Sequence, residues 1–514
     1  MTLHAARSSR IPFILLYLLG IAHWLCFFYL VYPLQGGERA LLTGHVAPNQ
    51  LFRSREFTAH GWFEQNNLVR IVQEALRTGT MPYHVPEMDR QTSQNHQNRF
   101  MAFPSWPMTP QSVLLTALDP VTFTVVNLLL LYSIGFYGSW LLARRYQLGP
   151  MAFMLLFLLM NFNGYFVEKI SAAGPNLLAP LLLPFFVLLI LRAAEPDTEV
   201  PERQVRGGLR LGLLLAAILY QGDVHIFIEL VTFVLLWGLV NARRWRFTLV
   251  ALIAACAMGT ARLLPAALTF GPGPDPHVHV WMGYPYPETL VEGLVLTRTQ
   301  LSPPIFSWWE YSAYISIVGL FALVYFGLWE PLLRADWVRF RGWRALALPC
   351  LALVVMSFRR FKDYLIPNWI PLLNAEAMTT RYIIIPLAFL VVIAAINLQG
   401  FLERQADHPR VKWLLGGGLV SLGVLLFNHS RIWRMHRIQS EFDFVHAQGL
   451  YGLKPEPIWN LVLHISNRPD DRLYISSVWV GLIVSAIAWA LVAWLLARRH
   501  RVVGEAHQAG LVTA

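Results

Sequence analysis

Hydrophobic residues form long continuous runs along this chain, in contrast to the alternating pattern of a half-buried β-strand. A helix needs about 20 apolar residues to cross the hydrocarbon core of a bilayer, and continuous Leu-rich runs predict helices. The pattern predicts about twelve spans, at 11–32, 121–142, 151–167, 176–193, 209–220, 224–241, 247–266, 311–328, 345–358, 382–398, 413–427 and 475–497. We therefore expect one all-α integral membrane domain over residues 1–514.

Long polar stretches separate some of these runs, and the first, 33–111, directly follows the first span. The other three lie at 267–310, 359–381 and 428–474. They are rich in aromatic residues and proline, which favours short helices packed at the membrane interface over disordered linkers. Within the first stretch, apolar positions from Phe63 to Arg77 recur at helical spacing. They predict an amphipathic helix that either lies on the membrane or packs on neighbouring loops.

The charge balance adds an orientation to this picture. Only 14% of the residues are charged, against about 25% in soluble domains, and the formal net charge is +11. Much of the excess arginine lies in short connections, such as Arg144 and Arg145, and these mark the cytoplasmic side. We therefore expect both termini in the cytoplasm, the four long stretches outside and the chain in the inner membrane, with no nucleic-acid partner. The three cysteines all fall within apolar spans and predict no disulfide framework.

Charged residues also gather at the predicted outer ends of the spans, where they are costly unless paired or functional. They are Glu168, Lys169, Asp223, His225, Glu229, Arg262, Arg359, Arg360, Lys362, Asp363, Glu376 and Arg381. The carboxylates Glu56 and Glu64 lie in the first polar stretch. Together these residues predict a site on the outer face.

Several of these residues have two interpretations. Glu168 and Lys169 are adjacent, which favours a local ion pair, and Glu229 could pair with Arg262 on the next span as well as act in a site. The basic group from Arg359 to Lys362 either anchors lipid headgroups or clamps a phosphate, because the arginine fork matches phosphate oxygens.

Metal and nucleotide motifs are weak or absent in the sequence. His277 and His279 with Asp275 resemble a metal-ligand pair, but this spacing more often belongs to a polar loop without metal. A divalent-metal requirement stays open, and no other cofactor is predicted. No P-loop, dinucleotide fingerprint or serine nucleophile elbow stands out, which disfavours nucleotide-powered transport.

Seven segments resemble, in the same order, segments of YfhO-type bacterial membrane proteins. They are VRIVQEALRTGTMPYHVP at 69–86, MTPQSVLL at 108–115, the span at 126–149, NFNGYFVEKISAAGPNLLAPLLLPFFVLLILRA at 161–193, QGDVHIFIEL at 221–230, ARLLPAAL at 261–268 and AEAMTTRYIIIPLAFLVVIAA at 375–395. No single segment is specific, and the resemblance rests on their order over about the first four-fifths of the chain.

That family is similar to the GT-C superfamily of polyprenyl-phosphate-dependent glycosyltransferases. The resemblance implies a helical bundle whose large first outer loop holds an interfacial helix. It also implies that a sugar is moved from a lipid phosphate carrier to an acceptor on the outer side, in cell-envelope glycan biosynthesis. The family usually has an acid, often Asp, near the start of that loop. This chain has no Asp between Tyr32 and Met88, so Glu56 or Glu64 must replace it, and His60 lies near the expected position.

The predicted reaction is an inverting displacement in which Glu56, or failing that Glu64, is the base. Arg359, Arg360 and Arg381 are the candidates for holding the leaving phosphate. Further candidates for substrate contacts are Lys362, His60, Asp223 and His225. Three other classes stay open at this point: a polysaccharide polymerase or ligase, a transporter or lipid flippase, and a non-catalytic scaffold that binds lipid-linked glycan.

Overall fold

Helices dominate the part of the chain that the structure, a computed structural model, describes. The described residues are 11–30, 62–85, 98–103, 106–172, 175–195, 200–270, 283–297, 308–331, 343–361, 378–433, 465–466 and 468–508. Within these ranges there is no β-sheet, only isolated bridges at His84–Arg99, His84–Ser466 and Tyr284–Phe358. The predicted all-α class is therefore confirmed.

A series of helices runs through the described chain. In chain order they are α1 (Ile11–Leu25), α2 (Trp62–Thr78), α3 (Pro120–Arg145), α4 (Pro150–Asn161), α5 (Gly164–Ala172), α6 (Leu183–Ala193), α7 (Pro201–Tyr220), α8 (Val224–Val240), α9 (Trp245–Met258), α10 (Thr260–Phe270), α11 (Pro287–Val295), α12 (Trp308–Tyr311), α13 (Ser316–Ala322), α14 (Trp343–Met356), α15 (Ile384–Arg404), α16 (Pro409–Trp433) and α17 (Arg472–Gln508). Short 3-10 segments, such as Pro110–Thr116 and Pro175–Leu182, link some of them.

Local sequence explains where several of these helices begin. Proline occupies the first turn of α4, α7 and α11, where its missing N–H leaves no hydrogen bond unmade and its fixed φ suits a helix. Asp223 caps α8 by accepting a hydrogen bond from the Ile226 N–H at 3.1 Å.

The chain is a multi-pass membrane protein by the length and hydropathy of these helices. Seven segments of the described chain are long and apolar enough to cross a membrane, namely Ile11–Phe28, Thr122–Arg145, Pro150–Ser171, Trp308–Trp329, Thr379–Arg404, Pro409–Trp433 and Arg472–Arg498. The pair Val224–Val240 and Ala242–Met258 is bent by 117° and would raise the number to at most eight.

The predicted count of about twelve is not confirmed, and for three of the predicted spans the difference has a local cause. The helices Leu177–Ala193 and Ala345–Met356 are apolar but shorter than a full span. The predicted span at 209–220 is the apolar half of α7, whose first half carries Arg203, Arg206 and Arg210. Runs of apolar residues thus locate helices well, although some of these helices are too short or too charged to meet the criteria for a span.

The two ends of the helix bundle differ in charge. At one end, called the arginine end here, Arg145 pairs with Glu195 and Arg404 pairs with Glu330. Arg244 at the same end donates to the Ala194 and Glu195 carbonyls at 3.2 and 2.8 Å. These arginines come from connections that were predicted to be cytoplasmic, so the structure gathers them at one end. Which side of a membrane this end faces stays a prediction.

The amphipathic helix of the first polar stretch packs on the protein at the opposite end. Leu68, Ile71 and Val72 of α2 are buried, and Gln73 donates to the Leu115 and Leu118 carbonyls at 2.9 and 2.8 Å. Of the two predicted roles for this helix, packing on neighbouring segments is therefore the one observed in the structure.

A partly buried ion pair connects the first polar stretch to the last helix. Arg99 donates to both oxygens of Asp471, at 2.8 and 2.9 Å, and His84 lies 3.1 Å from the same carboxylate. Tyr474 on α17 accepts from the Met101 N–H and donates to the Tyr83 carbonyl, each at 2.9 Å. These contacts hold residues 83–85 and 98–101 against α17.

Asp471 gives this connection a pH dependence. Partial burial alone would raise the pKa of Asp471, but hydrogen bonds and charge from Arg99 and His84 outweigh it and lower the pKa below its usual value. A carboxyl with a lowered folded-state pKa adds stability above its unfolded pKa of about 3.9, and that stability is lost as the pH falls through the folded-state value.

We therefore expect the Asp471→Asn variant to unfold at a lower temperature near neutral pH, with a loss of about 1.5–3 kcal/mol, the usual contribution of hydrogen bonds to a charged group. The difference from the parent protein should vanish in strong acid. Asp470→Asn is the matched control, because Asp470 is exposed and lies next in the chain. Equal melting temperatures for the two variants across this pH range would contradict the prediction.

Candidate functional site

A buried ion cluster lies where three chain segments meet at the end opposite the arginine end. Glu310 on α12 accepts from Lys169 Nζ at 2.6 Å and from Arg381 Nε and Nη2 at 3.0 and 2.5 Å. The side chains of Glu310, Lys169 and Arg381 are 0%, 1% and 5% exposed. An unpaired charge is costly in such surroundings. Lys169 and Arg381 therefore need the carboxylate of Glu310 to offset their charges, and Glu310 needs them.

Aromatic rings complete the surroundings of Lys169. Its ammonium lies 4.8 Å from the centre of the Tyr165 ring and 5.1 Å from that of Trp309. These distances allow cation–π attraction, which is strongest where water is excluded. The lysine is therefore held by a carboxylate and by two ring faces.

Glu168 belongs to a second set of contacts beside the first. One of its oxygens accepts a hydrogen bond from the Ser312 hydroxyl and lies 3.1 Å from His429 Nε2. His429 Nδ1 is 3.0 Å from the Thr297 hydroxyl, and the ring of Tyr314 stacks on the imidazole at 4.2 Å. Glu168 and Lys169 therefore point to different partners, although their adjacency in the sequence favoured a local ion pair.

The helices are broken where the cluster forms. The chain leaves helical geometry between α4 and α5, and again between α12 and α13, and Ser316 at the start of α13 has a φ of +67°. Non-helical backbone inside a membrane bundle needs other partners for its polar groups. Ala313 N–H donates to the Gly293 carbonyl at 3.0 Å, and the Tyr314 carbonyl accepts from Gly164 N–H at 2.7 Å.

Only glycine fits at position 164, because its missing side chain lets the backbone contact Tyr314. A Cβ there would lie 2.5 Å from the Tyr314 nitrogen, closer than real Cβ atoms approach. The break after α4 and the break after α12 are thus packed directly on each other, and this packing brings residues 168–169 beside residue 310.

Further acidic residues lie within electrostatic range of the cluster. Glu229 interacts with Lys169, and both Glu229 and Asp223 interact with Tyr165. Arg262 does not pair with Glu229. Its Nη2 donates to the Trp106 carbonyl at 2.7 Å, and its guanidinium lies 4.5 Å from the centre of the Trp106 ring.

The predicted basic residues divide between the cluster and the surface. Arg381 is buried with Glu310, whereas Arg359 and Arg360 are exposed after the end of α14. Arg359 N–H donates to the Tyr284 carbonyl at 3.3 Å, and its charge acts on Tyr311, the residue after Glu310. Tyr311 therefore lies near both the exposed Arg359 and the buried ion cluster.

Tyr284 links this surface to the cluster by its hydroxyl. The hydroxyl donates to the Tyr311 carbonyl at 2.8 Å. Burial raises the pKa of Tyr284 well above its usual value, and the charges of Tyr311, Glu310 and Glu168 add to this effect. Tyr284 therefore stays neutral and holds the end of α12 in place.

The remaining predicted site residues have different outcomes. Glu56, His60 and Lys362 lie outside the described residues, as do Asp275, His277 and His279. Glu64 lies in the first turn of α2, whose backbone packs near the 3-10 segments Pro110–Thr116 and Pro175–Leu182. Asp223 caps α8, and His225 lies in the first turn of the same helix. Among the described residues no group of three or more His, Cys, Asp and Glu side chains forms a metal site.

Two central residues of the site were missed by the sequence reasoning. Glu310 stands two residues inside the apolar segment that begins at Trp308, and His429 stands four residues before the end of the segment that finishes at Trp433. Ionisable residues inside such segments usually mark function or pairing, so the signal was available at both positions.

Fold and site together define an all-α, multi-pass membrane protein with a buried ion cluster at one end of its bundle. No protein-family model, curated protein or solved structure matches the chain.

Proposed function

We propose that the protein is a membrane glycosyltransferase that takes a sugar from a polyprenyl-phosphate-linked donor and transfers it at the end of the bundle that holds the ion cluster. The observation that carries this proposal is the position of α2. This helix bears Glu64 and is fixed through Gln73 to the same end of the bundle as Glu310, Lys169 and Arg381. A membrane enzyme needs its water-accessible carboxylate and its lipid-phosphate contacts at one such end.

The proposed step follows from these residues. Glu56 or Glu64 takes the proton of an acceptor hydroxyl as the oxygen attacks the anomeric carbon. The bond from that carbon to the phosphate oxygen breaks, the lipid phosphate leaves and the anomeric configuration inverts. Exposed Arg359 and Arg360 are suited to hold the leaving phosphate because guanidinium groups bind phosphate oxygens in pairs.

The structure changes what we propose for Arg381. Two of its donors already bind Glu310, so a direct phosphate contact would have to compete with a buried carboxylate. We propose instead that Arg381 and Lys169 fix α12 through Glu310, so that Tyr311, and Arg359 near it, keep their positions. Asp223 has a comparable role because its carboxylate caps α8.

A lipid-linked sugar transporter or flippase is the second candidate, favoured by the broken helices at the ion cluster. Discontinuous helices with charged residues near the bilayer midplane are typical of transporters. Here, however, the charges lie near segment ends: Lys169 two residues before the end of Pro150–Ser171, Glu310 two residues after the start of Trp308–Trp329 and Arg381 two residues after the start of Thr379–Arg404. This placement suits a site at the membrane edge better than one at the midplane.

Reconstituted protein separates the two candidates. A polyprenyl-phosphate donor with a labelled sugar would be added to full-length protein in liposomes. A mixture of acceptor glycans and lipids would be added with it. We expect label in a new product and free polyprenyl phosphate in equal amounts. Movement of intact donor across the bilayer without release of polyprenyl phosphate would overturn the glycosyltransferase and support the flippase.

A further inference from the structure

Five arginines converge on one pocket at the arginine end, far from the ion cluster. The pocket has a volume of about 270 Å³, and the arginines that line it are Arg192, Arg203, Arg206, Arg210 and Arg244. No carboxylate of the described chain is among its lining residues. A preference for arginine on the cytoplasmic side explains residues that face water, but it does not explain their convergence on a pocket.

Four of the five arginines are partly removed from water, whereas Arg203 is exposed. Arg244 is only 8% exposed, and Arg192 and Arg210 are half-buried. The Arg192 Nε is buried and has no hydrogen-bond acceptor among the described residues. Arg210 interacts electrostatically with Arg192 and Arg206, which repel it. Like charges held together in this way are unfavourable unless an anion joins them.

One carboxylate beside the pocket, Glu195, is already engaged. Glu195 interacts with Arg192, but both of its oxygens accept hydrogen bonds from Arg145. Asp197 and Glu199 follow it in the sequence, and they lie outside the described residues. If they neutralise the arginines, the pocket needs no bound anion.

An apolar groove begins at the same arginines. It has a volume of about 530 Å³, runs between α3, α6 and α7 and shares Leu189, Arg192 and Arg210 with the pocket. Most of its other lining residues are leucine, with Gln111 and Gln221 towards the far end of α7. A polar pocket thus opens into an apolar groove along the length of the helices.

One face of α7 carries the whole pattern. Arg203, Arg206 and Arg210 recur at intervals of three and four residues, and Leu213, Leu214, Ala217 and Gln221 continue the same face. From Arg210 to Gln221 the helix rises about 16 Å at 1.5 Å per residue. This length matches one leaflet, since the hydrocarbon core of a bilayer is about 30 Å thick.

Close packing of α7 on α9 fixes the shape of the pocket. A Cβ on Gly212 would lie 2.6 Å from the Ala254 Cβ, and a Cβ on Gly208 would lie 2.6 Å from the Phe247 carbonyl oxygen. Small residues let membrane helices approach in this way. The approach brings Arg244, at the start of α9, beside the arginines of α7.

We propose that the pocket and groove together bind one anionic phospholipid, with its headgroup phosphate among the arginines and an acyl chain along α7. Guanidinium groups match phosphate oxygens in charge and geometry, and the groove covers the chain with leucine side chains. This site is separate from the ion cluster and does not depend on the proposed transfer reaction.

The test measures bound lipid and melting temperature for full-length protein in detergent. Phosphatidylglycerol should remain bound in native mass spectrometry and raise the melting temperature, whereas phosphatidylcholine should do neither at the same concentration. The Arg192→Gln/Arg210→Gln variant should bind phosphatidylglycerol at least tenfold more weakly. Arg246→Gln is the matched control, because Arg246 is exposed at the same end and does not line the pocket.

Two further variants keep the test independent of folding. Without anionic lipid, Arg210→Gln should melt at or above the temperature of the parent protein, because it removes a repelled charge. Ala217→Phe should fill the groove, weaken lipid binding and leave the arginines intact. A loss of stability in lipid-free Arg210→Gln equal to the loss in the presence of lipid would contradict the proposal.

Other outcomes would contradict phospholipid binding and indicate which other anion neutralises the arginines. Equal stabilisation by inorganic phosphate and by phosphatidylglycerol would indicate a site for a free anion. Indifference of the parent protein to phosphatidylglycerol, together with strong destabilisation by Asp197→Asn/Glu199→Gln, would show that the chain neutralises its own arginines. Equal binding of the two phospholipids would also contradict the proposal.

Discussion

Replacing Glu310 by Gln should destabilise the protein by about 3–5 kcal/mol, the typical cost of removing one partner from a buried ion pair. The glutamine would leave Lys169 and Arg381 buried beside each other with no carboxylate between them. The surrounding rings and backbone carbonyls cannot replace a full negative charge. Thermal or denaturant unfolding of the purified protein in one detergent would measure the loss.

Controls for this prediction use the same chemical change elsewhere. Glu288→Gln alters an exposed residue at the start of α11 and should change the free energy of unfolding by less than about 0.5 kcal/mol. In a double-mutant cycle, Glu310→Gln/Arg381→Gln should cost less than the sum of the two single variants. Strict additivity would show that the two side chains do not stabilise each other.

The positions of the helices could be predicted from the sequence, but the number of membrane spans could not. Helix positions are local properties, so hydropathy located a helix at every predicted span. The 117° bend between α8 and the segment Ala242–Met258 depends on packing and has no signature in composition. The number of spans therefore could not be read from hydropathy alone.

The location of the charged residues was predictable from the sequence, but the partner of each charge was not. The outer ends of the spans were the expected location of charge, and Glu168, Lys169 and Arg381 do lie together at one end. Their partners were not predictable, because Glu310 is 141 residues from Lys169 and 71 from Arg381. Such distant pairs are fixed by the breaks after α4 and α12, which packing around Gly164 stabilises.

Burial decides which role we assign to each of the predicted charged residues. A charge at the end of a span can serve a substrate or the fold, and its accessibility decides between these uses. Arg381 and Lys169 are enclosed and paired, so we assign them to positioning α12, whereas Arg359 and Arg360 remain open to a ligand. The catalytic prediction therefore rests on the carboxylates of the first polar stretch.

Replacing the proposed catalytic carboxylate by Gln should lower the rate of the proposed sugar transfer by about 10²–10⁴-fold, the usual contribution of a general base, and leave donor binding nearly unchanged. The variants are Glu56→Gln and Glu64→Gln, and we expect the loss in one of them. Glu74→Gln is the matched control, because Glu74 is exposed on the same helix as Glu64. Initial rates with a labelled lipid-linked donor, measured beside donor affinity and melting temperature, separate lost chemistry from lost binding or lost fold. Full activity in both Glu56→Gln and Glu64→Gln would overturn the assignment of the base to these two glutamates.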